Sequence, residues 1–309
     1  MTAIDLPPER VAARRRNRAR RRREAMLAYL LISPALVVFA VFVFYPFAKN
    51  IWLGLYRTPP FPGLPKRYAA YDQYARVLTS PEFRGSLRTT FLFVAMTVPT
   101  GLLLGLLMAV LAHQKLRGIA IYRTIFSSTV ATSIAVASVI FFTLLNPQVG
   151  LLTYLLGREG EPSVLDDPRW ALVAVAGVTI WQNLGLSFIL MSAGLQGVPD
   201  DLLEAAEIDG AGAWGRFRHV VVPLLSPTIF FATIVGSILA FQAFGQIDLL
   251  TQGGPLRKTN VIVYAMYDAV FRQNNEGKAA VLSVALFAIT LVLTLIQLRL
   301  LERRVTYER

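Results

Sequence analysis

The chain has 309 residues, of which 55% are hydrophobic and 16% charged, whereas soluble domains carry about a quarter charged residues. A bilayer is therefore its expected solvent. There is no cysteine, which excludes disulfide frameworks and thiol chemistry, and His113 and His219 lie far apart without an acid at metal-ligand spacing.

The net charge of +12 is concentrated at the start, where RRRNRARRRRE (Arg14 to Glu24) abuts the first apolar segment. That is where cations set membrane orientation, and the run lacks the interleaved aromatics of a nucleic-acid site. The apolar stretch that follows is too long for the h-region of a signal peptide and has no small-residue cleavage site, so it is expected to stay in the mature protein. Six segments reach the length of ~20 residues that a spanning helix needs: Met26 to Leu53, Leu87 to Ala112, Ile121 to Leu145, Trp170 to Leu195, Leu224 to Ile247 and Ala279 to Leu298. An even count returns the C-terminus to the side of the N-terminus. The basic tail of Arg299, Arg303, Arg304 and Arg309 agrees with two cytoplasmic ends. Against this stand Arg57, Lys66, Arg67, Arg76 and Arg84 in the first outside loop, outweighed by nine arginines in the N-terminal tail.

The outside connections TPPFPGLPKRY (Thr58 to Tyr68) and TQGGPLRKTN (Thr251 to Asn260) are rich in turn formers. Between Asn146 and Arg169, VGLLTYLL is too short to span and is expected as a surface or re-entrant helix. The turn HQKLRG makes the second and third spans antiparallel neighbours. Gly101 and Gly105 give the second span a small-xxx-small pattern that allows close backbone approach. None of the six spans holds Asp, Glu or His, and their only cations, Lys49, Arg88 and Arg123, stand within a few residues of a span end, which disfavours a proton-coupled secondary transporter. No carboxylate pair, Ser/His/Asp set or metal cluster stands at membrane depth, and no GxxxxGK[ST] phosphate loop occurs, so neither a membrane enzyme nor direct use of ATP is expected. The polar groups in and beside the spans are mostly neutral. Trp181, Gln182, Asn183, Gln242 and Gln246, with Asp248 at the outer edge, are candidates for the wall of a wet translocation path, since buried amides need partners or water.

Polarity returns in PDDLLEAAEIDGAGAWGRFRHVVVPLLSP (Pro199 to Pro227), on the cytoplasmic side between the fourth and fifth spans. Pro199, Asp200 and Asp201 start a helix, and Asp200, Glu204 and Glu207 share one face. Gly210 and Gly212 end it, Trp214 to Val222 forms a second short helix, and Pro223 suits the first turn of the next span. This is the shape of a docking element.

Glu204-Ala205-Ala206, three residues, Gly210, nine residues, then Val220-Val221-Val222-Pro223 resembles the EAA motif (EAA-x3-G-x9-I-x-LP) of permease subunits in binding-protein-dependent ABC importers, with Val in place of Ile and Leu. SPALVVFAVFVFYPF, LNPQVGLLTYLL, WQNLGLSFILMSAGLQGVP and TQGGPLRKTNVIVYAMYDAVF look like the carbohydrate-importer branch. The last of these with LIQLRLLERRVTYE is most similar to permeases of glycerol-3-phosphate and glycerophosphodiester importers. Maltose- and trehalose-type permeases stay open as alternatives. The resemblance implies an all-α integral membrane protein with the type I importer permease fold. Its parts would be a cytoplasmic tail (1–25), a six-span permease domain (26–298) with the coupling loop at 199–223, and a second cytoplasmic tail (299–309). It assigns ATPase coupling to Glu204, Ala205, Ala206, Glu207, Gly210 and Pro223. The implied partners are a second related permease, two copies of an ATPase that carries ATP and Mg, and an extracytoplasmic binding protein. This chain itself would hold no cofactor and sit in a prokaryotic plasma membrane. The implied substrate is glycerol-3-phosphate or a diester such as glycerophosphocholine, with selectivity in the binding protein and Arg57, Lys66 and Arg67 at the entrance.

Overall fold

Prolines and hydroxyls decide where the long apolar segments run on and where they break. The structure, a computed structural model, describes residues 8–59, 64–114, 117–147, 150–155, 157 and 162–301. Arg303, Arg304, Arg309 and part of the Thr58 to Tyr68 loop lie outside these, as do Val149 and Leu156 of VGLLTYLL. Contacts divide the chain into two units, Met1–Leu53 and Gly54–Arg309.

In the first unit, α1 (Pro8–Phe39) passes through a π-helical turn at Ala40–Phe44 into α2 (Tyr45–Leu53). Residues 24–53 form one candidate span. The π turn ends two residues before Pro46. Proline lacks an N–H and its ring collides with the carbonyl four residues back, and a locally widened turn absorbs both defects without ending the helix.

The second unit opens with a small antiparallel ladder of β1 (Tyr56–Arg57) and β2 (Arg67–Tyr68), followed by α3 (Ala70–Leu78) and α4 (Pro81–His113). Ser80 caps α4 by accepting a hydrogen bond from the Phe83 N–H at 3.1 Å, and Pro81 occupies the first turn, where no N–H is needed. The third apolar segment is not the straight helix expected over Ile121 to Leu145. It comprises α5 (Ile119–Ser128), a 3₁₀ turn at Thr129–Ala131 and α6 (Ile134–Leu144), with a bend of 104°. The cause is the run Ser127-Ser128-Thr129-Val-Ala-Thr132-Ser133, whose hydroxyls offer the backbone partners outside the helical ladder. Ser133 caps the new helix, accepting from the Val136 N–H at 3.2 Å.

The short α7 (Leu151–Leu155) precedes α8 (Ala171–Gln196), which is followed by α9 (Asp200–Ile208) and α10 (Ala213–Arg216). The fifth span also departs from its expected bounds. From α10 a second π turn, Phe217–Val221, leads into α11 (Val222–Phe241), so one rod runs over residues 213–241. Trp214 to Val222 is thus no separate helix. Pro223 sits within a rod already under way, two residues after the π turn, the same spacing as at Pro46. The rod stops at Phe241, and the chain resumes as α12 (Gly245–Leu250), α13 (Ile262–Phe271) and α14 (Glu276–Leu301). Among the described residues there are, by length and composition, five candidate spans, or six when the bent pair counts as one.

The helices α4 and α8 run parallel and share the most extensive packing. A Cβ on Gly105 would lie 2.6 Å from the Ser187 Cβ, so glycine is what lets these helices meet. Gly101, the other half of the small-residue pattern, has open space instead. Core clusters form around Ala109, Phe188, Met191 and Leu225, around Phe93, Val175, Val178 and Ile247, and around Val77, Phe83, Ile262 and Leu282. One buried hydroxyl ties two of these layers together. Thr90 Oγ1 donates to the Ser86 carbonyl at 2.7 Å and accepts from the Ile262 N–H at 2.9 Å, fixing the start of α13 against α4.

Candidate coupling and translocation sites

At the C-terminal end of α8 the chain turns polar. Asp200 and Asp201 occupy the first turn of α9, where the helix dipole favours acids, and Pro199 is its N-cap. The helix closes in a Schellman motif: the Gly210 N–H reaches the Glu207 carbonyl at 3.0 Å and the Ala211 N–H reaches that of Ala206 at 2.9 Å. Gly210 has a φ of +81°, and nothing lies within 4 Å of an added Cβ, so backbone conformation and not space demands glycine there.

The proposed coupling residues then part company. Glu207 forms an ion pair with Arg216, which clamps α9 to α10, so it is engaged within the chain. Glu204 is exposed and has no ion pair among the described residues. Ala205 beside it is exposed and Ala206 half-buried, leaving a small-residue surface around the free carboxylate. Ile208 is 87% exposed and Trp214 70%, the latter's ring 5.6 Å from that of Phe217. Pro223 stands apart from this surface, half-buried in the rod.

The candidate path residues also divide. Gln246 Nε2 donates to Gln182 Oε1 at 2.6 Å, and Gln182 Nε2 approaches the Thr132 carbonyl at 3.5 Å. Those contacts set the pair against the break between α5 and α6, where a carbonyl freed from the helical ladder needs a donor. Gln246 is 3% exposed and its Oε1 has no partner. The break fits because glycines face it: a Cβ on Gly185 would lie 2.4 Å from Thr129 Oγ1, and one on Gly245 2.7 Å from Ile134 Cγ2. Trp181 packs edge-on against Phe141 of α6 at 5.2 Å. Asn183 points elsewhere, into a narrow groove with Thr97, Gly101 and Ser187, and donates to the Thr179 carbonyl at 2.9 Å. Gln242 is exposed at the C-cap of α11, and Gln246 and Asp248 belong to α12 rather than to a span. Sequence reasoning passed over Gln297, which donates to Ser237 Oγ at 2.9 Å and joins α14 to α11. The signal was an amide inside the last apolar segment.

At the opposite end of α8, several of the cations between Arg57 and Arg76 are paired. Arg57 and Arg76 both meet Asp72, at 3.0 and 3.5 Å, and Lys66 meets Glu276. Arg57 and Lys66 are therefore engaged within the chain. The Thr251 to Asn260 loop is tightly built, with the fully buried Thr259 donating to the Gly254 carbonyl at 2.6 Å and lying 2.7 Å from Thr251 Oγ1.

A family profile described as "Binding-protein-dependent transport system inner membrane component" matches residues 101–307. The chain is 36% identical over 286 residues to the protein of Agrobacterium fabrum named sn-glycerol-3-phosphate transport system permease protein UgpA, covering 91% of this chain and 97% of the relative. Its namesake in Pectobacterium atrosepticum is 32% identical over 288 residues, covering 93% and 97%. Among solved structures, the fold matches a chain of a bacterial ABC transporter that imports the acidic polysaccharide alginate, with a TM-score of 0.77, 20% identity and coverage of 91% and 96%. A second structure of an alginate transporter, in complex with an alginate pentasaccharide-bound periplasmic protein, gives a TM-score of 0.78 at 19% identity.

Proposed function

The chain belongs to the family of inner membrane components of binding-protein-dependent transport systems, and from that premise we propose that it carries a phosphorylated glycerol compound, glycerol-3-phosphate or a glycerophosphodiester such as glycerophosphocholine. It is a multi-pass permease subunit of a bacterial ABC importer, a transport component and not an enzyme. The observation that carries the substrate reading is the 36% identity, across nearly the full length of both chains, to permeases named for sn-glycerol-3-phosphate.

In this reading the chain pairs with a second related permease, two copies of a cytoplasmic ATPase and an external binding protein. Both termini and the 199–223 loop face the cytoplasm. Impermeant labelling of a cysteine placed at Gly212, in intact cells, overturns that orientation. Glu204 meets a basic residue in the ATPase cleft, with Ala205 and Ala206 allowing close approach. The partner holds ATP and Mg. Its closure displaces α9, and the short turn over Gly210 to Gly212 passes that displacement to the rod over residues 213–241. Gln182 and Gln246, beside the broken third segment, form a polar constriction on the path between outward- and inward-facing states.

The test is ATP-dependent uptake by the complete importer in proteoliposomes, offered glycerol-3-phosphate, glycerophosphocholine, maltose and trehalose in turn. The first two are expected to accumulate. Accumulation of a disaccharide alone discards the substrate and leaves the importer standing. Gln246→Leu is expected to slow uptake with the complex intact, and unchanged uptake removes the amide pair from the path.

A further inference from the structure

Where the first turns of α4 and α8 meet the loop that follows α12, there is an open cavity of about 620 Å³, within the ~300–1,000 Å³ of ligand pockets. Its wall carries Arg88 from α4, Arg169 just before α8, and Arg257 and Lys258 from the loop. Among the described residues its one carboxylate, Glu82, is already held by Lys278 at 2.6 Å and Arg257 at 3.0 Å. Arg88, Arg169 and Lys258 are exposed and have no acidic partner among the described residues, although Arg57, Arg76 and Lys66 at this same end are all paired. The positive ends of two long helices, of 33 and 26 residues, add to the local potential. One group in the wall has the opposite character: the Asn260 carboxamide oxygen is buried without a hydrogen-bond partner, an acceptor waiting for a donor.

Cations that receive anionic oxygens, beside an acceptor for a hydroxyl, are the complement of a phosphorylated polyol. We propose that this cavity is a receiving site for a phosphate ester, held by Arg88, Arg169 and Lys258 through its charged oxygens and by Asn260 through a hydroxyl. It lies at the end of α8 away from the coupling loop, about 40 Å from it at ~1.5 Å per residue, and so on the side where substrate arrives. The polyol half of the assignment rests on the substrate reading above, while the phosphate half rests on the cavity alone. The spans, which hold no fixed cation at depth, need then only pass on a ligand whose charge was met at the mouth.

The assay uses the full importer without its external binding protein, in nanodiscs of phosphatidylcholine at low salt. Scintillation proximity follows radiolabelled inorganic phosphate and glycerol-3-phosphate. Saturable binding of both is expected. It should weaken about tenfold or more in the Arg88→Gln, Arg169→Gln double variant, weaken less in Lys258→Gln, and stay unmoved in Arg76→Gln. No saturable binding to the unaltered complex, or binding indifferent to the double variant, overturns the proposal. Displacement of both ligands by phosphatidylglycerol in the nanodisc assigns the cavity to a lipid headgroup and overturns the solute site. So does a double variant that only loses affinity for the binding protein, since the cavity is then a protein-docking surface. Uptake by the complete importer separates the two readings. Phosphate binding lost in the double variant, with no transport of glycerol-3-phosphate by any form, leaves the site standing and removes the substrate. Transport of glycerol-3-phosphate at an unaltered rate in the double variant, at limiting substrate, leaves the substrate standing and removes the site.

Discussion

The two ends of α8 treat charge in opposite ways. At its N-terminal end, Arg57, Arg76 and Asp72, Lys66 and Glu276, and the Arg257–Glu82–Lys278 set are satisfied within the chain, and the Thr251 to Asn260 loop is closed by the buried Thr259. Past its C-terminal end, Asp200, Asp201 and Glu204 have no ion pair among the described residues, and Ile208 and Trp214 are exposed. Exposed apolar side chains beside unpaired acids are costly on a free surface and useful at an interface whose core excludes water. The first end is finished by its own residues apart from the cations around the cavity, whereas the second, in the proposed reading, is finished by another protein.

That contrast can be broken by exchanging the roles of the two ends. The largest effect is expected from Glu204→Lys. Losing a partly shielded interfacial pair costs roughly 2–5 kcal/mol, so the ATPase should dissociate or uptake fall at least about tenfold with insertion unchanged. Normal copurification and uptake would show the acidic face to be a solvated surface. Next comes Thr90→Val at the self-contained end. It strands the Ile262 N–H in a buried layer at a cost of about 1–3 kcal/mol, read as a lower thermal unfolding temperature in detergent while the ATPase still copurifies. Gly210→Val follows, at about 1–2 kcal/mol for a branched residue held at positive φ. Because nothing crowds the position, Gly210→Asn should couple nearly normally, and equal damage from both would mean that space decides there. The smallest effect belongs to Arg216→Ala. The Glu207 carboxylate is 67% exposed, so the pair contributes only about 0–1 kcal/mol, and uptake should stay close to that of the unaltered importer.

Much of this was legible in the residues because the physics behind it is local. A run of ~20 apolar residues has to satisfy its own backbone in lipid, which fixes the spans. Pro199 with two acids starts a helix and Gly210 ends it, because dipole and φ are properties of the nearest few residues. The proposed cytoplasmic placement of the N-terminal end rests on Arg14 to Arg23 and so on composition alone. What the tertiary structure decided depends on residues far apart in sequence. The 104° bend at Thr129–Ala131 is permitted by hydroxyls, yet it is accommodated by Gly185 and Gly245 from other helices. Pro223 looked like a helix start, and only the π turn behind it shows that the rod already runs through. Glu207 and Glu204 read alike as acids on one face until Arg216, nine residues beyond Glu207, takes one of them. Gln182 and Gln246, 64 residues apart, become a pair only when α12 folds back beside the break. A charge or an amide announces its need for a partner in the sequence, but the partner is chosen by the packing that brings distant backbone within about 3 Å.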